Sequence, residues 1–435
     1  MRLHRLLVPL LGLAVFAGGC TSVPVEELGG PPSTSTTEAV DDAEGDDPPA
    51  STTTSSLPAT RLPADIDLSG LGGELAISGP DGLEITKPDG TRVGLHSTGG
   101  QGAAQPTWSR DGEMAVATVL DGPSGGVVVV RDAETFEAIA RRPYFFYSWN
   151  PTGEYIAALG PGAEGTTLDI VGPDGAPVAD DSLSAGSFYL AWEPGGDDLV
   201  IHRDRMLELV RDPLDLNRIE RLGEPGQSFL APAWIPGTRE VLIVEERADG
   251  NRLVRLDVDT LARDDLGPVD GSIGIVVAPD GGHALLAHGF AGEGGDIAVA
   301  YRPVADVTAS TEVIDLASGA RQPVTVEQTL WAEWSPDGSK VALLQPDAVE
   351  GVEWVIWNGA EARRLGPFLP TFTFFRNYVF FAWQFTESPR VWSPRSDAIV
   401  YAATTAGTDA VWVHALVADE AVRVASGSVA FWSPR

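Results

Sequence analysis

Short apolar runs separated by turn residues recur along the chain from about residue 71 to its end. In several of them apolar side chains stand at consecutive positions: 114–119, 155–160, 199–202, 241–245, 341–344 and 399–403. Strands that are apolar on both faces belong to sheets that are covered on both sides. Because no helical periodicity of useful length follows the N-terminal segment, the pattern predicts an all-β fold of stacked sheets.

A turn motif precedes these runs at regular intervals. Its fullest copy is WSPDG at residues 334–338, and Val277 replaces the tryptophan in one copy. The tryptophans that open the other copies are Trp108, Trp149, Trp192, Trp234, Trp334, Trp392 and Trp432. The first four intervals are 41 to 43 residues long, which fits four short strands and their turns. Proline and Asp-Gly favour the tight turn, and the indole offers a large surface to pack between neighbouring units.

Turns of this type, each followed by an apolar strand and then by a second strand that ends in a turn, resemble the WD40-like repeats of TolB-type β-propellers. The resemblance covers about residues 71–435. It implies a β-propeller of four-stranded blades, and its order of repeats is similar to that of bacterial exported proteins of this type. Eight blades are predicted. Seven remain compatible with the sequence, because the intervals of 57 and 58 residues beside Trp334 have room for an irregular blade.

The two ends of the repeat region complement each other. Residues 428–435 hold one strand and the start of a turn, with nothing after them. Residues 74–96 hold three short strands around two Pro-Asp-Gly turns but lack the strand that should precede them. The chain could be a fragment, or its last strand could complete the first blade. Since each end supplies what the other lacks, we expect the second arrangement, which closes the ring.

The N-terminal residues 1–19 are typical of an export signal. Arg2 and Arg5 precede an apolar run over residues 6–16, which is shorter than the ~20 residues that span a bilayer as a helix. Residues 17–20 (AGGC) resemble the lipobox of bacterial lipoproteins, with Ala where Leu is usual. Cys20 is the only cysteine and so has no disulfide partner. We expect a lipid on Cys20 that anchors the protein to the outer face of the cell membrane or in the periplasm; a plain secretory signal is the alternative.

Residues 20–70 are rich in Pro, Ser, Thr, Asp and Glu and nearly free of aromatic residues. Such a segment cannot bury enough apolar surface to fold, so a disordered tether is predicted. The whole chain has 62 acidic against 29 basic residues, a formal charge of −33. Phosphate backbones would be repelled by this charge, which excludes DNA and RNA as partners.

The most unusual segment lies at residues 367–390. Nine aromatic residues occur between positions 368 and 385. One interpretation is an extra strand or loop that plugs the ring. The other is a platform for a partner, because aromatic residues and arginine dominate binding hot spots. The candidate binding residues are Phe375, Arg376, Tyr378, Phe381 and Trp383. A second aromatic run at residues 141–149 is expected to pack in the core.

Motifs of known catalytic chemistry are missing from the sequence: G-x-S-x-G, H-E-x-x-H, the P-loop and the dinucleotide fingerprint. His283 and His288 are five residues apart, on opposite faces of one strand, and so cannot form a metal pair. No catalytic residue, metal or cofactor is predicted. We expect a monomeric, non-catalytic propeller that binds a protein, a peptide or a cell-envelope polymer. The alternatives are a propeller enzyme of the sugar dehydrogenase or lyase type with a metal or quinone in its channel, and a structural spacer.

Overall fold

The computed structural model describes residues 67–97, 102–113, 115–120, 126–132, 135–140, 144–162, 165–173, 175–186, 188–203, 206–223, 231–269, 273–288, 311–347, 351–384 and 389–435. The predicted export signal, Cys20 and all but the end of the predicted tether lie outside these residues. Leu68 is buried against strands near the C-terminus. The packed region therefore begins a few residues before position 71.

The described residues form eight antiparallel sheets, numbered here in chain order. Sheet 1 contains β1 (Leu75–Gly79), β2 (Gly82–Thr86), β3 (Arg92–Ser97) and the last strand, β31 (Val429–Trp432). Sheet 2 contains β4 (Ala103–Trp108), β5 (Ala115–Leu120), β6 (Gly126–Asp132) and β7 (Thr135–Ala140). Sheet 3 contains β8 (Phe146–Trp149), β9 (Ile156–Gly162), β10 (Gly165–Val171) and β11 (Leu183–Ala185). Sheet 4 contains β12 (Phe188–Trp192), β13 (Leu199–Arg203), β14 (Met206–Val210) and β15 (Ile219–Gly223).

The second half of the chain repeats this arrangement. Sheet 5 contains β16 (Ala233–Trp234), β17 (Glu240–Arg247), β18 (Gly250–Asp257) and β19 (Arg263–Val269). Sheet 6 contains β20 (Ile273–Val277), β21 (His283–His288), β22 (Thr311–Asp315) and β23 (Arg321–Thr325). Sheet 7 contains β24 (Trp331–Trp334), β25 (Val341–Asp347), β26 (Gly351–Trp357) and β27 (Ala362–Phe368). Sheet 8 contains β28 (Ala398–Thr405), β29 (Thr408–Ala415) and β30 (Val422–Ser426).

The sheets follow one another around a closed ring. The innermost strands contact one another from sheet 1 to sheet 3 and again from sheet 4 to sheet 7, and β31 of sheet 1 also contacts β28 of sheet 8. Hydrogen bonds from the indoles of Trp192 and Trp392 join sheet 3 to sheet 4 and sheet 7 to sheet 8. Seven sheets have four strands. In sheet 8 the innermost position is taken by residues 391–392, which pair with β28 at the bridge between Trp392 and Ile399. On either side of this bridge, the N–H of Val400 donates to the carbonyl of Val391 at 2.8 Å and the N–H of Ser393 donates to the carbonyl of Ala398 at 2.9 Å. The predicted all-β propeller is confirmed, and each apolar run named above coincides with a strand, apart from position 155, which precedes β9, and position 114, which lies outside the described residues.

The C-terminal strand closes the ring, as the two incomplete ends predicted. β31 pairs with β1 in an antiparallel register that runs from Leu75 opposite Trp432 to Ser78 opposite Val429. Beyond the strand, the N–H of Ser433 donates to the carbonyl of Glu74 at 2.7 Å. Phe431 and Trp432 are fully buried. The last strand is therefore an inner strand of the core.

Five of the seven repeated tryptophans join neighbouring sheets by a hydrogen bond as well as by packing, whereas the buried indole N–H groups of Trp149 and Trp432 have no acceptor among the described residues. The indole N–H donates to the innermost strand of the preceding sheet, at the carbonyl of the residue just before the anchor position. The pairs are Trp108 to Phe431 (3.2 Å), Trp192 to Ser148 (3.1 Å), Trp234 to Ala191 (3.0 Å), Trp334 to Val276 (3.0 Å) and Trp392 to Glu333 (3.1 Å). An indole hydrogen bond thereby joins the inner strands at five of the eight junctions between sheets.

Replacement of Trp192 by Phe tests this tie. The variant keeps an aromatic ring but removes the indole N–H donor to the carbonyl of Ser148, and one such hydrogen bond contributes about 0.5–1.5 kcal/mol. Trp354→Phe is the matched control, because Trp354 is equally buried and its indole N–H has no acceptor among the described residues. Chemical denaturation should show the larger loss of unfolding free energy for Trp192→Phe. Equal losses would mean that the tryptophans act by packing alone.

The two long intervals in the repeat do not hide a further sheet among the described residues. The first contains residues 289–310, which lie outside the described part and separate β21 from β22 within sheet 6. The second contains residues 369–391, between sheets 7 and 8. In the other aromatic run, Tyr144, Phe146, Tyr147 and Trp149 are buried, which agrees with the expected core packing.

Candidate binding site at the mouth of the ring

The aromatic segment at residues 369–391, called the mouth insert below, contains two short helices. Helix α1 spans Phe372–Asn377 and a 3₁₀ helix spans Val379–Gln384. Thr371 caps α1, since its side-chain oxygen accepts the N–H of Phe374 at 3.1 Å. The interpretation as an extra strand or loop is corrected here: a Thr N-cap followed by closely spaced aromatic residues forms a helix despite its short length. No helix in the described part is long and apolar enough to cross a membrane.

One face of α1 is packed against the inner strands of the ring. The ring of Phe374 stacks on Trp331 with their centroids 5.5 Å apart. Tyr378 meets Phe431 edge-on at 5.0 Å. Trp331 belongs to sheet 7 and Phe431 to sheet 1, so the insert lies across the side of the ring where the innermost strands begin. It plugs that mouth, which is the part of the first interpretation that the structure supports.

The 3₁₀ helix places Trp383 against a glycine of sheet 6. Trp383 is buried, and a Cβ atom added to Gly274 would lie 2.0 Å from its indole ring. No side chain larger than hydrogen fits at position 274 unless the indole moves. Gly274 thus provides the space into which Trp383 fits.

Tyr378 extends the contacts of the insert from sheets 1, 6 and 7 to sheet 2. Burial raises the pKa of its hydroxyl well above the ordinary value, and a hydrogen bond from the backbone of Gln105 acts in the opposite direction. Gln105 has a φ of +55° at an irregularity of β4 in sheet 2. A left-handed backbone conformation is energetically costly for a non-glycine residue. Gln105 adopts it at the position where its N–H contacts the hydroxyl of Tyr378.

The opposite face of α1 is exposed and combines apolar and cationic groups. Leu369 is 55% and Phe372 58% exposed. Arg376 is also exposed, and its guanidinium lies 5.7 Å from the centre of the Phe372 ring. Positions 372 and 376 are one helical turn apart and so share a face. An exposed aromatic residue lies beside an arginine on a helix whose other face is packed against the ring. This is the composition of a binding hot spot.

The candidate residues from the sequence divide between the two faces. Phe375, Tyr378 and Trp383 are buried, 3 to 5% exposed. They anchor the insert and offer no free surface. Arg376 is exposed, whereas the side chain of Phe381 lies outside the description. Phe372 and Leu369 were not predicted as surface residues from the sequence, although the i, i+4 spacing of Phe372 and Arg376 after a Thr cap indicates a shared helix face.

Several carboxylates elsewhere in the sheets are paired with arginines or histidines. Within single sheets, carboxylates near the strand ends bind arginines on adjacent strands: Glu208 with Arg203, Glu312 with Arg321, and Glu353 with Arg364. His283 lies 3.7 Å from Asp315, and His288 lies 3.0 Å from Glu312, so the two histidines have different partners. The described residues contain no group of three or more potential metal ligands.

A cleft of about 620 Å³ lies between sheets 4 and 5 on the opposite mouth. Arg239 lines it and binds Glu193 at 2.6 Å and Asp259 at 3.0 Å, with Asp198 as a third partner. Hydrogen bonds to these carboxylates, Asp259 first, raise the pKa of Arg239. Since its donors are used within the protein, Arg239 ties the two sheets together.

No family model matches the sequence, and no curated protein does so either. Solved structures with a similar fold include dihydro-heme d1 dehydrogenase NirN, with a TM-score of 0.56 and 13% identity over 87% of this chain and 78% of that one. A eukaryotic initiation factor has a TM-score of 0.55 and 12% identity over 83% of this chain and 98% of that one. TolB from Acinetobacter baumannii has a TM-score of 0.39 and 15% identity over 73% and 81%.

Sequence identities of 12 and 13% indicate that the fold is similar, and they support no conclusion about function. The similar folds include an enzyme and a protein of another kind, so the fold does not decide whether this protein is catalytic. Any proposal about function therefore rests on the exposed residues of the mouth insert. The closed ring of sheets itself makes this chain a β-propeller, the class of fold that its repeats resemble.

Proposed function

We propose that this protein is a non-catalytic binding module, held at a membrane surface, that recognises a protein, peptide or cell-envelope polymer through the mouth insert. The observation that carries this proposal is the exposed face formed by Leu369, Phe372 and Arg376. A partner that covers Phe372 and Leu369 together would gain apolar burial, and Arg376 beside them can add polar contacts.

The rigidity of the insert supports the proposal. Four buried aromatic side chains and the Thr371 cap hold α1 in place before any partner arrives. A preorganised surface binds more tightly because less conformational entropy is lost on association. Chemistry of this kind, an aromatic ring with an adjacent guanidinium, favours a protein or peptide over a carbohydrate polymer.

The membrane part of the proposal depends on Cys20. An acylated cysteine would keep the propeller at the outer face of a membrane, since each buried CH₂ of an acyl chain contributes about 0.8 kcal/mol and more than one chain gives stable anchoring. The −33 charge of the chain gives no attraction to anionic lipids, so the lipid would have to supply the anchoring.

Affinity purification from the membranes of the source cell tests the proposal. The full chain and a Phe372→Ala/Arg376→Ala variant are crosslinked and purified in parallel. Loss of two hot-spot residues at about 2 kcal/mol or more each should reduce recovery of the partner at least tenfold. The Cys20→Ser variant should no longer fractionate with membranes, but the partner should still be recovered with it.

Val417→Ala is the matched control, because Val417 is 95% exposed in the turn between β29 and β30, at the other mouth. It should recover the partner as the unaltered chain does. Equal recovery with the double variant would contradict the insert as binding site. Recovery of polysaccharide in place of protein would correct the partner class.

A further inference from the structure

The exposed face of the mouth insert carries a cation without a counter-ion. Arg376 is the only charged residue between positions 365 and 386. Its guanidinium lies against the ring of Phe372, and no carboxylate among the described residues pairs with it. A guanidinium has five N–H donors and no acceptor, so the donors of Arg376 are available to an anionic group outside the described part of the chain.

The absence of this counter-ion contrasts with the composition of the chain. Acidic residues outnumber basic residues by 62 to 29, yet the mouth insert at residues 369–391 holds two arginines and one glutamate. Elsewhere, arginines on the strands are paired with carboxylates of the same sheet: Arg252 with Asp265, and Arg321 with Glu312. The insert is therefore a locally cationic segment in a strongly acidic protein, and it favours contact with an anion.

Apolar side chains are exposed beside this cation. Leu369 is 55% and Phe372 58% exposed. Val326, which is 81% exposed, lies in the connection that leads to Trp331, on whose ring Phe374 stacks. This connection is on the same mouth of the ring as the insert, because it enters the innermost strand of sheet 7. A partner at this mouth can thus cover apolar surface and reach the guanidinium together.

We propose that the exposed face of the mouth insert binds a protein segment that presents an aspartate or glutamate and an apolar side chain on one face. The carboxylate pairs with Arg376, and the apolar side chain covers Phe372 and Leu369. This inference rests on the proposed function, since it names the chemistry of the partner that occupies the same site.

A carboxylate is the anion of a protein that the geometry of arginine fits best. The planar guanidinium donates two parallel N–H bonds to the two oxygens of one carboxylate. The ring of Phe372, whose centre is 5.7 Å from the guanidinium carbon, restricts the positions of the Arg376 side chain. Less conformational entropy is then lost when the carboxylate binds.

The same distance predicts the spacing of the two side chains in the partner. In an extended segment, residues i and i+2 project to the same side about 6.6 Å apart, whereas adjacent residues project to opposite sides. In a helix, residues i and i+3 or i+4 are about 5–6 Å apart on one face. Both values are close to the 5.7 Å between the guanidinium and the Phe372 ring. The acidic and apolar residues should therefore be two to four positions apart.

The formal charge of −33 on the chain does not prevent such a contact. The Debye length is about 8 Å at an ionic strength of 0.15 M, so repulsion from carboxylates on distant sheets is screened. The charge pair with Arg376 forms at direct contact and is screened much less. Binding measured at this ionic strength therefore reports the chemistry of the insert.

Selection from a library of random peptides, displayed on phage and applied to the immobilised full chain, tests the inference. The enriched peptides should contain Asp or Glu two to four positions from an aromatic or aliphatic residue. The Arg376→Glu variant should enrich Lys or Arg at that position in place of the acidic residue. It should also bind the best acidic peptide at least tenfold more weakly than the unaltered chain.

Arg110→Glu is the matched control. Arg110 is also exposed and has no ion pair among the described residues, but it lies in a turn at the other mouth. This variant should select the same acidic peptides with unchanged affinity. Equal melting midpoints of the three chains would show that loss of binding is not caused by unfolding.

The Phe372→Ala variant separates this inference from the proposed function. Peptides that require Phe372 but are indifferent to the charge at position 376 would show that the insert binds a partner without a carboxylate, and would overturn the inference alone. Enrichment of basic peptides on the unaltered chain would also overturn it. So would a failure to enrich any peptide above the Phe372→Ala/Arg376→Ala variant, while the purification from membranes would still decide the proposed function.

Discussion

Deletion of residues 428–435 is expected to leave the protein aggregated or sensitive to proteases. The deletion removes β31, the innermost strand of sheet 1, and exposes the edge of β1. Phe431 and Trp432 are fully buried, and loss of a large aromatic side chain from a core costs about 3–5 kcal/mol each. The total stability of a folded domain is about 5–15 kcal/mol, so most of it would be lost.

Limited proteolysis and size-exclusion chromatography measure this effect. Arg435→Ala is the control, since Arg435 makes one exposed ion pair with Glu113 at 3.2 Å, and such pairs contribute little. Its melting midpoint should remain within about 3 °C of the original. Deletion of residues 21–63 should also leave the melting curve unchanged. A soluble, monomeric protein that lacks residues 428–435 and melts normally would show that the ring closes without β31.

Trp383→Ala is expected to lower the melting midpoint by several degrees. The indole is buried between the insert and sheet 6, and a cavity of this size costs about 3–5 kcal/mol. Phe372→Ala is the control on the same insert, because Phe372 is 58% exposed and its loss leaves no cavity. Thermal denaturation should separate the two variants clearly. Equal midpoints would mean that the insert is not part of the folded core.

Gly274→Val tests the same contact from the opposite side. The added side chain would occupy the place of the Trp383 ring, so the single variant should destabilise the protein by about 1–3 kcal/mol through overpacking. In the double variant with Trp383→Ala the space is free, and the combined loss should be smaller than the sum of the single losses. Additive losses would contradict direct contact between these residues.

The repeat predicted most of the fold because each copy contains the same arrangement of apolar runs and turn residues. Apolar runs on both faces require covered sheets, and Asp-Gly turns at fixed spacing fix the strand order. The closure of the ring could also be predicted, since residues 74–96 lacked one strand and residues 428–435 supplied it. Strand pattern, turn type and the complementary chain ends can be recognised in the sequence without knowing which side chains contact each other.

The mouth insert could be predicted only in part. Its aromatic content indicated an unusual segment, but aromatic residues suit a core and a binding surface equally. Periodicity over six helical residues is too short to separate the buried Phe374 and Phe375 from the exposed Phe372 and Arg376. Contacts with Trp331, Phe431 and Gly274, each from a distant part of the chain, decided which face is buried.

The sequence by itself determined the class of fold, the order of the repeated units and the closing strand, because all follow from hydrophobic periodicity and turn chemistry. Only the tertiary structure decided which aromatic side chains are anchors and which are exposed. It also revealed that Arg376, beside the exposed Phe372, has no carboxylate partner among the described residues. Burial and proximity arise when distant segments pack together, and no local pattern encodes them.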